Sequence, residues 1–222
     1  MSFPLNQTQT LELIVCLTTI SHIYFQSRDI KKVSKIAWSE GGAVIPSSLP
    51  TSLIGRIVTP THGVAIMLPP PLYTFTVLVN GLDQPEWLAS WKLPLNVGDN
   101  EPRIRIAACL VTIGLSMFTG AIFKHLGKQW HYLGVREKSS VVSTGPYAFV
   151  RHPGYLQVLA QQAIFTLMFW SLIPLIAMGI TVTAFAIKIP IEEQCLLDNP
   201  KIGPDYAKYQ KKVGWRLVPF VW

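Results

Sequence analysis

Tyr155–Ile191 reads YLQVLAQQAIFTLMFWSLIPLIAMGITVTAFAIKIPI, and Lys188 is its only charged residue. A helix that crosses a bilayer needs about 20 mostly apolar residues, so this stretch holds enough for two. With almost nothing between Tyr155–Ile173 and Pro174–Ile191, the pair predicts an antiparallel helical hairpin turning at Pro174. Moving toward the N-terminus, Ile104–Leu126 is the cleanest further span. Its Gly114, Ser116 and Gly120 allow close approach of another helix. Ile57–Leu82 is apolar too, but Pro60 and Pro69–Pro71 remove helical donors and predict a kinked or re-entrant span. Thr8–Phe25 makes a fifth, with Glu12 near its outer end.

The composition agrees. Half of the 222 residues are apolar and 14% are charged, against about 25% in an ordinary soluble domain. Mean hydropathy is +0.34. The expected fold is an all-α integral membrane protein of about five transmembrane helices, with a C-terminal helical hairpin and a cytosolic cofactor pocket. Seven Trp, seven Tyr and ten Phe exclude a disordered chain. Cys16, Cys109 and Cys195 are odd in number and far apart, which predicts reduced thiols and no zinc or redox site. No metal site is expected.

Basic residues set the orientation, since Lys and Arg are retained on the cytoplasmic side. Arg28, Lys31, Lys32 and Lys35 follow the first span. Lys124, Lys128, Arg136, Lys138 and Arg151 follow the third, and Lys201, Lys208, Lys211, Lys212 and Arg216 follow the fifth. The loop between spans two and three is acidic, with Asp83, Glu86, Asp99 and Glu101. This predicts a lumenal or external N-terminus and a cytosolic C-terminus, with Arg103 and Arg105 snorkelling to the interface from the other side. The net charge of +7 then gathers on one face, where it favours anionic headgroups and anionic substrates. No basic module stands apart from the spans to take nucleic acid. Glu12, the lack of a preceding basic residue and the lack of a small-residue cleavage site argue against a secretory signal. The chain divides into 1–138, the N-terminal spans and their loops, and 139–222, which carries the chemistry.

That chemistry sits in two patches flanking the final hairpin. The first, SSVVSTGPYAFVRHPGY (Ser139–Tyr155), has a Gly145-Pro146 break and then Arg151-His152-Pro153 where a helix should start. A helix start beside Arg151 and His152 suits an anion, and equally suits a basic anchor with interfacial aromatics. The second patch begins KIPIEEQCLLDNP at Lys188. If the helix continues through Pro190, Lys188 and Glu192 share a face. Otherwise Lys188 snorkels and both glutamates are solvated. Glu192 and Glu193 are neighbours and point different ways, which argues against a paired-carboxylate acid/base site. Downstream, Tyr206, Tyr209 and Trp215 among lysines suggest a segment lying on the membrane surface. His22, His62, His125 and His131 are scattered and are placed outside the site.

GPYAFVRHPGY followed, after a hairpin, by EEQCLLDNPKIGPDYAKYQKKVGWRLVPF resembles the C-terminal signature of isoprenylcysteine carboxyl methyltransferases, over roughly Ser139–Phe220. The resemblance implies a multi-pass endoplasmic-reticulum membrane enzyme with its active site facing the cytosol. Such an enzyme uses S-adenosylmethionine to methylate the C-terminal prenylcysteine of CaaX-processed proteins, and membrane lipids are its further partners. By motif position it implies cofactor contacts at Ser139, Ser140, Val141, Val142, Tyr147, His152, Pro153, Gly154, Tyr155 and Glu192. Arg151 and Glu192 carry the catalytic expectation, and Lys188 the substrate contact. Animal members have Arg at the position of Lys188, and Lys lacks the bidentate fork.

The chemistry of the residues is consistent with that resemblance. An α-carboxylate has a pKa near 3.5 and is already a nucleophile, so methyl transfer to it needs positioning and no general base. No strand-helix alternation with GxGxxG is present to hold a soluble-type nucleotide fold. Membrane sterol reductases, which bind NADPH, and phospholipid N-methyltransferases share elements of the pattern and stand as alternatives. A lipid-binding structural protein is the non-enzymatic one.

Overall fold

The computed structural model describes residues 5–222. Its helices are α1 (Gln7–Gly41), α2 (Leu53–Met67), α3 (Pro69–Val79), α4 (Glu86–Ala89), α5 (Glu101–Leu126), α6 (Pro153–Met168), α7 (Ile173–Leu197) and α8 (Gly203–Lys212). Extended pairing among the described residues is limited to isolated bridges. The all-helical expectation holds. Among the described residues three segments are long and apolar enough to cross a membrane: Leu53–Val79, Gly98–Gln129 and Ile173–Leu197.

Local chemistry sets the boundaries. Asn6 caps α1 reciprocally with Gln9, its side chain accepting from Gln9 N at 2.8 Å. Neither Pro nor internal Gly interrupts α1 before Gly41, so it runs on past Phe25 through the basic Arg28–Lys35 run instead of ending in a loop. Gly42, at φ +74°, ends it. The prolines of the second span bend it without breaking it. Leu68 keeps helical dihedrals, donates to Val64 O at 2.9 Å and accepts from Leu72 N at 3.1 Å. α2 and α3 are therefore two arms of one kinked rod.

α6 opens on Pro153, which gives up no hydrogen bond there because first-turn donors have no helical partner. The hairpin turn falls at Phe169–Leu172, just before Pro174 in the first turn of α7. It is pinned by Leu93 N to Trp170 O at 3.1 Å and Leu172 N to Trp91 O at 2.8 Å. α7 continues through Pro190 to Leu197. That continuity decides the face shared by Lys188 and Glu192.

α5 packs along both α1 and α6, α7 along α2 and α6, and α1 meets α3. Stacked Tyr73, Phe169 and Phe165 knit the end of the bundle at the α6–α7 turn, with centroid separations of 4.2 and 5.1 Å. Arg105 corrects the snorkelling expectation. It is 2% exposed, donates to Glu12 Oε1 at 2.8 Å, to Tyr73 Oη at 2.9 Å and to Met168 O at 3.0 Å. Glu12, 1% exposed, also accepts from Tyr73 and Gln84. Each charge finds its partner inside the bundle, as an ion at this depth requires. Arg103 stays outside and bonds Asn100.

Candidate active site

α6 and α7 present the two sequence patches to each other at their shared end. Because α7 stays helical through Pro190, Lys188 and Glu192 lie one turn apart on the side facing α6. Tyr155, in the first turn of α6, donates its hydroxyl to Glu192 Oε2 at 2.6 Å. Its ring stacks on His152, centroids 5.4 Å apart, and on Phe185 at 4.3 Å. Lys188 Nζ sits over the same ring, 5.2 Å from its centroid. Lys188 is 2% exposed and makes no ion pair among the described residues. The expectation that Lys188 snorkels to water is thereby overturned, since continuous α7 keeps it beneath Tyr155.

Glu193 turns the other way. Arg151 Nε donates to its Oε1 at 2.7 Å, Arg216 Nε to its Oε2 at 2.9 Å, and Gln210 to Oε2 at 3.3 Å. His152 Nε2 lies 3.2 Å from Oε1. Arg151 also donates to the carbonyls of Val213 and Gly214, while its backbone N–H bonds Trp215 O and that of His152 bonds Arg216 O. One buried carboxylate thus laces the C-terminal segment to the start of α6. Two glutamates read together as solvated therefore have separate duties, and neither sits in an exposed first turn.

The Ser139–Val142 stretch is held by Gln129, which accepts from Ser140 N at 3.0 Å and donates to Ser140 Oγ at 3.0 Å. Gly145 follows at φ +58°, and a Cβ there would collide with the His125 ring. The next turn delivers Tyr147, whose carbonyl accepts from Tyr209 of α8 at 2.7 Å. α8 is thus a wall of the site, with Tyr206 and Tyr209 buried against it.

These walls enclose a cavity of about 440 Å³, within the usual range for small-molecule sites. Ser139, Ser140, Val141, Val142, Tyr147, Arg151, His152, Gly154, Tyr155, Lys188 and Glu192 all line it. Pro153 does not. It is buried as the first residue of α6 and sets the direction of the chain. Arg151 lines the cavity with its guanidinium committed to Glu193 and the tail carbonyls.

Sequence reasoning left out His22, His62 and His131, which the bundle brings to the same cavity. No spacing links them, because they come from α1, α2 and the loop after α5. His131 Nδ1 and Ser139 Oγ are buried with no hydrogen-bond partner. Burial pulls the His131 pKa below the ordinary imidazole value, with Glu192 opposing and Arg136 and Lys188 assisting. Burial also raises the Tyr147 and Tyr206 phenols, and takes Tyr209 up to about 12. These rings remain neutral hydrogen-bonding groups at pH 7.

Most of the cavity's remaining lining is apolar: Ile23 of α1 and Ile66 and Met67 of α2 line it, as do Ile30 of α1 and Phe123 of α5, which pack beside Trp130. The charged residues suit a small polar cofactor: Glu192 offers a carboxylate to a cation, and the unpartnered Ser139 Oγ and His131 Nδ1 offer hydrogen bonds. Fold and cavity together define an all-α membrane protein that sets charged residues against a largely apolar cavity wall.

Residues 107–198 match the model of the isoprenylcysteine carboxyl methyltransferase (ICMT) family. Over 172 residues the chain is 28% identical to protein-S-isoprenylcysteine O-methyltransferase A of Arabidopsis thaliana, an alignment covering 77% of this chain and 79% of that protein. That matched segment spans much of α5 and all of α6 and α7, the helices that bring the two sequence patches to the cavity.

Proposed function

We propose that the protein methylates the C-terminal carboxylate of prenylcysteine on CaaX-processed proteins, with S-adenosylmethionine as donor. One observation carries the reading: Glu192, Tyr147, His152 and Lys188, distant in sequence, border one cavity whose remaining lining is mostly apolar. A soluble substrate would not need the apolar lining, and a purely hydrocarbon one would not need the charged residues.

Glu192, steadied by the Tyr155 hydroxyl, holds the cofactor's ammonium. Tyr147, His152 and the Ser139–Val142 stretch border the same pocket, and Gly154 leaves room at the first turn of α6. Arg151 acts through Glu193, fixing the His152 ring and the tail. When bound, S-adenosylmethionine supplies a methyl on a cationic sulfur, whose bond to carbon breaks as the carboxylate oxygen bonds to that carbon. Lys188, free of any ion pair, takes the other carboxylate oxygen and orients it. With an acceptor already ionised near pKa 3.5, the residues supply alignment, charge and dryness, and no proton is moved.

The apolar lining takes the isoprenoid from the bilayer. α1 and α6 complete a five-span bundle, 1–138 forming most of the lipid-side wall and 139–222 supplying the charged residues. The basic ends of the spans support a cytosolic site in the endoplasmic-reticulum membrane. The test is transfer of labelled methyl from S-adenosylmethionine to N-acetyl-farnesylcysteine, with phosphatidylethanolamine as the comparison acceptor. Label in the cysteine ester supports the reading; label in the lipid amine, or in neither, overturns it.

A further inference from the structure

Arg136, in the loop between α5 and α6, is a buried cation at the cavity wall. It is 3% exposed, and its guanidinium is held by neutral groups: Nε donates to Trp130 O at 2.7 Å, Nη1 donates to Gly42 O, and the Trp38 ring lies 5.4 Å away. Among the described residues no carboxylate pairs with it. Next to Trp130, His131 Nδ1 is buried with no hydrogen-bond partner, and so is Ser139 Oγ; both residues line the cavity. Buried polar atoms without partners are expensive, and a ligand group that accepts from both removes the cost.

The surroundings select an anion. Arg136 and Lys188 are the cations whose charge reaches the His131 ring, and Glu192 is the carboxylate that does. The residues that the sequence offers to an anion are committed elsewhere: Arg151 and His152 turn their side chains to Glu193 and their backbone N–H groups to Trp215 O and Arg216 O. The ammonium and carboxylate of an α-amino acid are joined through a single carbon. With the ammonium held at Glu192, the carboxylate falls among the neighbours of Glu192, and His131 is one of them.

We propose that His131 and Ser139 receive the carboxylate at the amino-acid end of the cofactor, in the field of Arg136. This rests on the methyltransferase reading above. Motif position put Ser139 at the cofactor without naming the group it meets, and left His131 outside. Ser139 donates its hydroxyl proton, and the imidazole donates from Nδ1, the carboxylate selecting the tautomer that carries the proton there. Glu192 and this pair then hold both charged groups on one carbon, which fixes the direction in which the sulfur-bearing chain leaves it. A hydrogen bond to a charged group contributes about tenfold or more in affinity.

The experiment titrates the purified full chain, by calorimetry, with S-adenosylmethionine and with its decarboxylated form, which keeps the ammonium and the cationic sulfur. The wild type is expected to bind S-adenosylmethionine more tightly by about tenfold or more. His131→Phe and Ser139→Ala, made singly, are each expected to bring that ratio toward unity by weakening S-adenosylmethionine while leaving the decarboxylated form nearly unchanged. A merely structural role would weaken both ligands alike. Equal or tighter binding of the decarboxylated form by the wild type overturns the carboxylate site while leaving the methyltransferase reading intact. So does an unchanged ratio in whichever of the two variants folds, or a loss shared equally by both ligands. No binding of S-adenosylmethionine by the wild type overturns the methyltransferase reading itself, and the carboxylate site with it.

Discussion

Glu192 and Glu193, adjacent on α7, brace opposite sides of one wall: Glu192 accepts from Tyr155 at 2.6 Å on the cavity side, and Glu193 accepts from Arg151 at 2.7 Å on the side of the tail. Successive helical residues diverge by about 100°, so neighbours in sequence cannot share one partner. The arrangement separates a cavity-facing carboxylate from one committed to the tail, and the two should fail differently.

Removing Glu193 strands Arg151, whose side chain is buried, beside Arg216. Loss of one partner of a buried ion pair typically costs about 3–5 kcal/mol. Glu193→Ala is therefore expected to lower the unfolding temperature in detergent. It should also expose the segment after Lys212 to protease before the helices unfold. A tail as resistant as in the wild type would show that the lacing lies elsewhere.

Glu192→Gln keeps the shape and removes the charge. Cofactor affinity measured by calorimetry should fall by about tenfold or more, since hydrogen bonds to charged groups contribute about 1.5–3 kcal/mol. Stability should change little. Tyr155→Phe removes the hydroxyl that fixes the carboxylate and should give a smaller loss. Unchanged affinity in Glu192→Gln would remove it from the cofactor site.

The hairpin, the helix start at Pro153 and the kink near Pro69–Pro71 are legible in the sequence because each depends on local rules, namely apolar length and the missing proline donor. Lys188 and Glu192 are half legible: their spacing gives a common face only if the helix survives Pro190, and packing of α7 on α2 and α6 settles that. That Glu192 and Glu193 point different ways is legible from their adjacency; what each of them meets is not, because Arg216 and Gln210 reach Glu193 from beyond the hairpin. His131 escapes for the same reason. Its neighbours at the cavity, Ser139 and Glu192, come from other parts of the chain. Arg105 looked displaced because its partner Glu12 is two spans earlier in the chain.

Lys188 is buried beside the Tyr155 ring, with no carboxylate among the described residues within salt-bridge distance of it. Lys188→Ala is expected to raise KM for N-acetyl-farnesylcysteine by about tenfold or more, the loss of one charge-assisted contact, and to raise KM for S-adenosylmethionine much less. Lys188→Arg retains the charge and should recover most of the substrate affinity. The opposite ranking of the two KM values would assign Lys188 to the cofactor.

His131 gives the site a pH dependence of definite sign. Burial lowers its folded pKa below the ordinary value near 6.5, so between those two values the unfolded chain binds a proton that the folded chain does not. Stability is fully present above about pH 6.5 and falls as pH drops toward the folded pKa. His131→Gln removes that titration, and the slope of unfolding temperature against pH below 6.5 should flatten. An unchanged slope would show that other groups govern acid sensitivity.

The Glu12–Arg105 pair tests the bundle at the opposite end. Both ions are almost fully buried, and Tyr73, Gln84 and Met168 O complete their hydrogen bonds. Such a pair is worth little against a well-packed apolar replacement, yet breaking it leaves a bare charge at a cost of about 3–5 kcal/mol. Glu12→Ala and Arg105→Ala are therefore each expected to destabilise strongly, because α1, α3, α5 and the end of α6 converge there. Glu12→Leu with Arg105→Met should recover much of the loss, since neither charge is then left without the other. A double-mutant cycle of unfolding free energies checks this. Simple additivity of the two changes would mean that the ions do not act as a pair.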